Sequence, residues 1–520
     1  MRHRILATVL IALASAPAAG AQGGATPDAT SPATPEEGAA GTPTAAPPTP
    51  AVTDGAPGEA PQDSAGAGAG LFEQSVGASP AAAATAESGA PPALPFTLNG
   101  YVRGDMFVGK VSGARQAIVN GDYGELATVL RTAKSPYGDG FAEMRFRYGL
   151  QGQTQGTFID VREAYVNAYL GRLDLRLGKQ IIVWGRADAL NPTNNLTPTD
   201  FRIRSPLEDD LRVGNVGARA VLRLAPAPLR LEGVWMPVYL PTELPTVGLP
   251  QFVSFGAPVF PAPTLGNGLA AGRLHLELSA IEMSVSYLYG YAPLPGLTLS
   301  SLTFDLQNPS AVVARTAYDQ QVVGFDFSTA LGDLMTLRGE AAYRHPFNYE
   351  QKIYAARPDL QYALGVDHTF GSLSVIGQYV GRYVFHWVKE NGPTRDLDPN
   401  VLLMDPTMVA PTVRQMAIDD ISLQLAKTNQ ILFSQTARIQ HLATLRVEWL
   451  LAHDTLSLST LALVNVTTRE WVITPRVGYK LTDAMIAYVG AQVFHGPKDT
   501  LFGIIENQLS AGYAELRFTY

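Results

Sequence analysis

The sequence predicts an all-β protein: a transmembrane antiparallel β-barrel of about 16–18 strands behind a disordered N-terminal tail. Three observations carry this expectation. From Phe96 onward, apolar and ionic residues alternate with a period of two, the period of a strand with two unlike faces. Short polar turns alternate with long connections through the middle of the chain. The chain opens with an export leader, yet no later apolar run approaches the ~20 residues of a spanning helix.

The leader comes first. Arg2 and Arg4 precede the apolar stretch Ile5–Ala14, and Ala19-Gly20-Ala21 forms a small-residue cleavage site, so residues 1–21 read as a signal peptide. Residues 22–95 are Ala, Pro, Gly and Thr with almost no bulky side chain. Such a segment cannot bury enough apolar surface to offset its chain entropy, so it is expected to be disordered and to lie in the periplasm. The "GLFEQSV" stretch, Gly70–Val76, is its one apolar patch and a candidate docking peptide for a periplasmic partner. The tail carries acids and no Lys or Arg, which leaves residues 96–520 nearly neutral. That excludes the basic face nucleic-acid binding needs. With no cysteine, a disulfide scaffold, a thiol nucleophile and a thiolate metal site are excluded too.

Residues 96–520 are the expected barrel. Near its start, "FTLNGYVRGDMFV" and "FAEMRFRYGLQGQ" flank a segment whose strand assignment is ambiguous, and this leaves the count between 16 and 18. Leu173–Val183 places Asp174, Arg176 and Gln180 on one face and leucines on the other; Lys179 breaks the parity, which suggests a bulge near Gly178. "GRLHLEL" opposes Arg273, His275 and Glu277 to Leu274 and Leu276, and "LMTLRGEAAYR" opposes Arg338 and Glu340 to Leu337 and Tyr343. "TLRVEWLL" sets Arg446 and Glu448 against Leu445, Val447 and Trp449. "LAPAPL" after Ala218–Leu224, Leu278–Ala280, Gly332–Asp333 and Gly371–Ser372 are hairpin turns. The long connections are Arg186–Asn215, Pro241–Asn267, Pro293–Asp319 and Lys389–Ile431. In the last, Pro411–Asn429 has the spacing of an amphipathic helix packed on, or plugging, the barrel mouth. Aromatic residues gather toward strand ends, among them Trp235, Tyr289, Tyr383 and Trp387, as in interfacial girdles; Trp184 and Gly185 are expected at the outer rim.

The final segment, "AGYAELRFTY", alternates to a terminal Tyr520 and resembles the C-terminal strand by which the assembly machinery recognises Gram-negative outer-membrane barrels. That resemblance implies the outer membrane as location, with its lipid bilayer and the barrel-assembly machinery as partners. "REAYVNAYLGRLDLRLGKQIIVWG" (Arg162–Gly185) resembles the strand–turn–strand of porin-like outer-membrane proteins. "WGRADALNPTNN" is similar to the WG…NP segment of a broad, poorly characterised proteobacterial barrel family. The resemblance implies a barrel and names no solute; some barrels of this look are associated with export of surface polysaccharide.

The inward ionic face is the candidate functional surface: Asp174, Arg176, Arg219, Arg223, Arg230, Glu232, Arg273, Glu277, Arg338, Glu340, Arg446 and Glu448. Mixed charges in a wet lumen set a transverse field that filters solutes; in a closed lumen the same residues form a stiffening salt-bridge lattice. The loop carrying Arg186, Asp188, Asp200, Arg202 and Arg204 either folds inward as a constriction or caps the rim. No G-x-S-x-G, H-E-x-x-H, phosphate loop or dinucleotide fingerprint occurs, so no catalytic, cofactor or metal residue is expected. The expected function is passive passage of small solutes, the alternative a barrel component of polysaccharide export or envelope assembly.

Overall fold

The structure, a computed structural model, describes residues 95–109, 116–151, 154–244, 253–305, 310–332, 335–393 and 409–520. The expected leader, the tail and its Gly70–Val76 patch lie outside the described residues.

Among the described residues twenty-one strands run in chain order: β1 (Phe96–Gly109), β2 (Ile118–Thr132), β3 (Gly138–Gln151), β4 (Thr154–Leu170), β5 (Leu173–Gln180), β6 (Asn215–Arg223), β7 (Leu229–Met236), β8 (Val253–Phe255), β9 (Leu269–Glu277), β10 (Ile281–Tyr291), β11 (Gly296–Thr303) and β12 (Ser310–Thr316). They continue as β13 (Asp319–Leu331), β14 (Met335–Pro346), β15 (Asp359–Phe370), β16 (Leu373–Val384), β17 (Ile439–Leu451), β18 (Leu456–Asn465), β19 (Glu470–Thr482), β20 (Met485–His495) and β21 (Ala511–Thr519). Eighteen of them pair antiparallel with their barrel neighbours, and β8, β11 and β12 form a separate small sheet in the long connections. β21 pairs with β1 from Tyr101↔Thr519 to Gly109↔Ala511, and this closes the ring. Closure satisfies every ladder edge inside the ring, the condition for strands to cross a hydrocarbon layer.

The ambiguous stretch near the start resolves as three strands. Inward Arg103, Asp105 and Phe107 alternate on β1 with outward Val102, Met106 and Val108. Outward positions elsewhere are large and apolar: Leu274 on β9, Phe325 on β13, Leu364 on β15, Leu445 on β17 and Phe518 on β21 are all 40–50% exposed. The inside is polar and packed, with Arg103, Glu125, Asp326 and Glu340 all buried. Such a surface is inverted relative to a soluble protein. An apolar belt around a closed barrel is stable only against lipid, and the chain is an outer-membrane barrel on that ground.

Turns at one end are short, as at Gly171–Arg172 and Gly371–Ser372, while the long connections gather at the other. In barrels of this kind the short turns face the periplasm. The expected helix is α1 (Pro411–Leu432). Its Leu425 and Ile421 pack on Val253, Ala311 and Val313 of the small sheet, so it belongs to the long connections. The Asn429 side chain bonds both backbone groups of Leu297 and the carbonyl of Ile353, tying three connections together. A second helix, α2 (Leu501–Leu509), precedes β21.

Two local expectations are corrected. The register of β5 is unbroken past Gly178 on both sides. Lys179 remains on the outward face beside Val216, and its ammonium reaches Asp160 at 3.2 Å. The irregularity lies one strand earlier, opposite Glu143 and Met144, where Arg162 is left out of the pairing. Trp184 is not at the rim: it is 2% exposed and inside the barrel.

Candidate functional site

The chain leaves the wall after Gln180 and does not rise to cap the mouth. It turns inward, because its apolar residues find an apolar seat there. Ile182, Trp184 and Leu196 cluster with Val234, Met236, Leu269, Leu288, Val322 and Ala342 from the inner wall. The indole Nε1–H of Trp184 donates to Glu232 Oε1 at 3.0 Å. Gly185 follows at φ 104°, and a Cβ there would sit 2.1 Å from Asn191 Oδ1, so only glycine fits. Asn191 then organises the turn: its Oδ1 accepts from Thr193 N at 3.2 Å and Asn194 N at 3.1 Å around Pro192. The WG…NP residues are thus the parts of one inward turn.

This turn is bolted to the wall. The Glu340 carboxylate of β14 accepts from the backbone N–H groups of Arg186 and Ala187 and from both N–H and hydroxyl of Thr193, the last at 3.0 Å. Arg186 reaches Asp326 at 2.9 Å and Glu282 at 2.6 Å. Asp188 accepts from Arg446 at 2.8 Å, and its N–H donates to Gln378 at 2.9 Å.

The returning arm is anchored on the opposite side. Asp210, in the short 3-10 turn Asp209–Leu211, lies 2.8 Å from Arg103 and 2.6 Å from Arg145. Burial alone would raise its pKa, but Arg103, then Arg145, overcome that and hold the carboxyl well below the usual range. Arg162 bonds the Asp209 carbonyl at 2.8 Å. Arg204 donates to the carbonyls of Gln508 and Leu509, the free C-terminal carbonyls of α2, at 2.8 and 2.9 Å. Asp200 and Arg202 pair with each other at 2.8 Å, with Arg202 half-exposed and beside Glu243.

Of the two arrangements open for this loop, the structure shows the inward one for Arg186 and Asp188. Arg204 is buried at α2, while Asp200 and Arg202 stay toward the outer connections. The candidate lumen residues all fall on the inward face by register, but most are spent on ion pairs. Arg219 pairs with Glu232 at 2.8 Å, Arg230 with Glu277 at 3.1 Å, Arg223 with Asp174, Arg273 with Asp326 at 2.8 Å and Arg338 with Asp367 at 2.7 Å. Arg176 bonds Asn167 at 2.9 Å over the ring of Tyr165. Glu448 is buried on the same face. Sequence reasoning missed Arg103 and Arg145, on strands whose assignment is ambiguous in sequence, and Arg162, at the head of the Arg162–Gly185 strand–turn–strand; the alternation in "YVRGDMF" was the signal for the first.

The outgoing arm lies on the β7–β16 side and the returning arm on β1 and β3, and the two leave a gap between them. A cavity of about 430 Å³ lies between Val183–Arg212 of the loop and inward residues of β1, β3, β17, β18, β19 and β21. Its lining includes Tyr101, Arg145, Asp188, Leu207, Glu208, Arg446, Leu461, Arg476, Tyr513 and Arg517. Among the described residues no cluster of His, Asp or Glu has the makings of a metal site.

A closed barrel with a lipid-facing belt and an inward loop defines the class, a porin-like outer-membrane β-barrel. The chain belongs to the DUF1302 family, described as proteins of unknown function, whose model matches residues 127–387. No curated protein matches the chain in sequence. Among solved structures, a BenF-like porin from Pseudomonas fluorescens Pf-5 aligns with a TM-score of 0.46 at 11% identity, over 82% of this chain and 98% of that one. Pseudomonas aeruginosa OccK2 (OpdF), in complex with glucuronate, aligns with a TM-score of 0.46 at 10% identity, over 82% and 95%. Pseudomonas aeruginosa OpdK with vanillate aligns with a TM-score of 0.45 at 9% identity, over 82% and 98%. At these scores the likeness says nothing of what enters the barrel.

Proposed function

We propose that the barrel is a channel for passive diffusion of small solutes, with the Val183–Arg212 loop as its constriction and the adjoining gap as the solute path. The observation that supports this is the gap the loop leaves within the lumen. Its outgoing arm is anchored to Glu340, Asp326 and Glu232, its returning arm to Arg103 and Arg145, and a cavity of about 430 Å³ remains between them. A loop serving only to seal the lumen would leave no such gap. The cavity is lined by opposed charges, five arginines facing five carboxylates, and that mixture filters by charge and size together. The mechanism needs no bond chemistry: the wall fixes the loop, the loop fixes the aperture, and solutes move down their gradient. The test is conductance of the purified protein in planar bilayers, together with liposome swelling in sugars of graded size. Swelling by the smallest sugars alone is the expected pattern. Swelling no faster than that of protein-free liposomes contradicts the reading.

A further inference from the structure

Beyond the closed ring, one strand edge has no neighbour among the described residues. β4 pairs with β5 from Leu170↔Leu173 to Ala164↔Lys179, and β5 ends one residue later at Gln180. The outer part of β4, residues 154–160, pairs with β3 alone. β5, β6, β7 and β9 have eight or nine residues each, against fourteen to seventeen in β1 to β4, so the wall steps down here. About 9–11 tilted residues carry a strand across the bilayer. Counted from Leu170, that span ends near Asp160, so the step lies at the outer surface of the membrane, outside the hydrocarbon that forbids an open edge.

The lumen side of this edge is open. Phe158 and Asp160 stand opposite Arg147 and Arg145 of β3 and so share their inward face. Both are nevertheless exposed, Phe158 by 39%. Ile159, on the outward face, is 68% exposed. Arg145 lines the cavity, and Arg162, next but one along β4 from Asp160, bonds the carbonyl of Asp209, which lines it too. The cavity thus adjoins a part of the wall that is open on its inner face, on its outer face and along its edge.

Building on the channel reading above, we infer that this step is a side mouth of the channel, through which a short-chain amphiphile with an uncharged polar head passes between the outer leaflet and the cavity. The apolar chain follows from Phe158, Ile159 and Val161, exposed at the step, and from Val183, Pro206 and Leu207 in the cavity lining. The uncharged head follows from charges that the step matches within itself, Lys179 with Asp160 at 3.2 Å and Arg162 with Asp209. The volume of about 430 Å³ admits a sugar-sized head with a chain of a few carbons. A solute dissolved in the outer leaflet meets this mouth without leaving the membrane surface.

The experiment uses Asp160→Cys in the otherwise cysteine-free full chain, folded and then held as a single channel in a planar bilayer. Hexyl glucoside or glucose is added on the side of the long connections. Hexyl glucoside should interrupt the current at concentrations at which glucose does not. Modifying the thiol with a bulky methanethiosulfonate reagent should abolish these interruptions, and reductant should restore them. The same modification at Val388→Cys, exposed on the long connection after β16, should leave them in place. Interruptions that survive modification at Asp160→Cys, or that glucose matches, overturn the inference. A second measurement does not need conduction: in vesicles, an alkyl glucoside with a photoreactive diazirine on its chain should mark Phe158 and, inside the barrel, Leu207, read by mass. Both residues marked in a protein that does not conduct supports the mouth and overturns only the channel reading. Conduction with neither residue marked overturns the inference alone.

Discussion

Replacing Glu340 by alanine should unlatch the loop without opening the barrel. One carboxylate receives four loop donors: Arg186 N, Ala187 N, Thr193 N and Thr193 Oγ1. A hydrogen bond to a charged acceptor is worth about 1.5–3 kcal/mol. Four bonds to one group do not add, because they share its charge, and deleting a buried carboxylate also removes its desolvation cost. A net loss of about 3 kcal/mol is the expectation, or roughly a hundredfold in the ratio of docked to undocked loop. The remaining tethers, Trp184 to Glu232, Arg186 to Asp326 and Asp188 to Arg446, keep the docked form in the majority. Single-channel records of Glu340→Ala should therefore show brief transitions to a larger conductance. Combining it with Asp188→Ala and Arg186→Ala should make the larger state dominant. The strand ladder is untouched by these changes, so heat-modifiability should persist. A triple variant that folds and conducts as the wild type would refute the view that these contacts hold the constriction in place.

Three further outcomes follow from the same placements. Leu274→Arg, on the outward face of β9 at 44% exposure, should cost about 2–4 kcal/mol if near the bilayer midplane, seen as reduced folding yield into vesicles; unimpaired yield means the faces are reversed. Arg273→Glu should set a carboxylate against Asp326 and beside Glu232; breaking such a buried pair costs about 3–5 kcal/mol, and a lowered urea midpoint measures it, whereas a change in ion selectivity alone contradicts the pairing. The Asp210 clamp should resist acid. A carboxyl held below its ordinary value of 3.8 gives stability that is complete above that value and lost only as pH falls through the lowered one, so Asp210→Asn should alter the conductance at pH 7 and pH 4.5 alike, and an effect confined to pH 7 counts against the clamp.

The barrel wall was legible because its signal is local. Each strand declares two faces, and Arg273 against Leu274, or Arg446 against Leu445, places the inward set without any knowledge of neighbours. What alternation cannot say is which face is dry. In sequence the outer-membrane reading rests on the resemblance of the terminal strand; the structure adds the closure of β1 on β21, which joins residues about 400 positions apart. The loop was legible in composition and not in path. Nothing near Trp184 marks it as buried, since its seat is made by Val234, Leu288, Val322 and Ala342 from four distant strands. Pairing was equally hidden: Arg273 and Arg338 look like free pore charges in sequence, and only the strand register brings Asp326 and Asp367 to them. Lys179 misled because a parity break on one strand resembles a bulge, while the actual irregularity sits on β4, where Arg162 turns to the loop. The open edge of β4 was hidden as well: residues 154–160 read as strand like any other, and only the register of β5 leaves them without a neighbour.

The central claim is that solutes pass through the gap beside the inward loop, and the most direct measurement is charge blockade within that gap. Ser459 on β18 faces Arg476 across the strand pair and lines the cavity opposite the loop. In an otherwise cysteine-free chain, Ser459→Cys provides a single thiol for a bulky methanethiosulfonate reagent added to one folded channel in a planar bilayer. The account predicts that modification reduces conductance in a discrete step reversed by reductant, and that Leu445→Cys on the lipid face of β17 shows no step. Modification of Ser459→Cys, confirmed by mass, with conductance unchanged would contradict it.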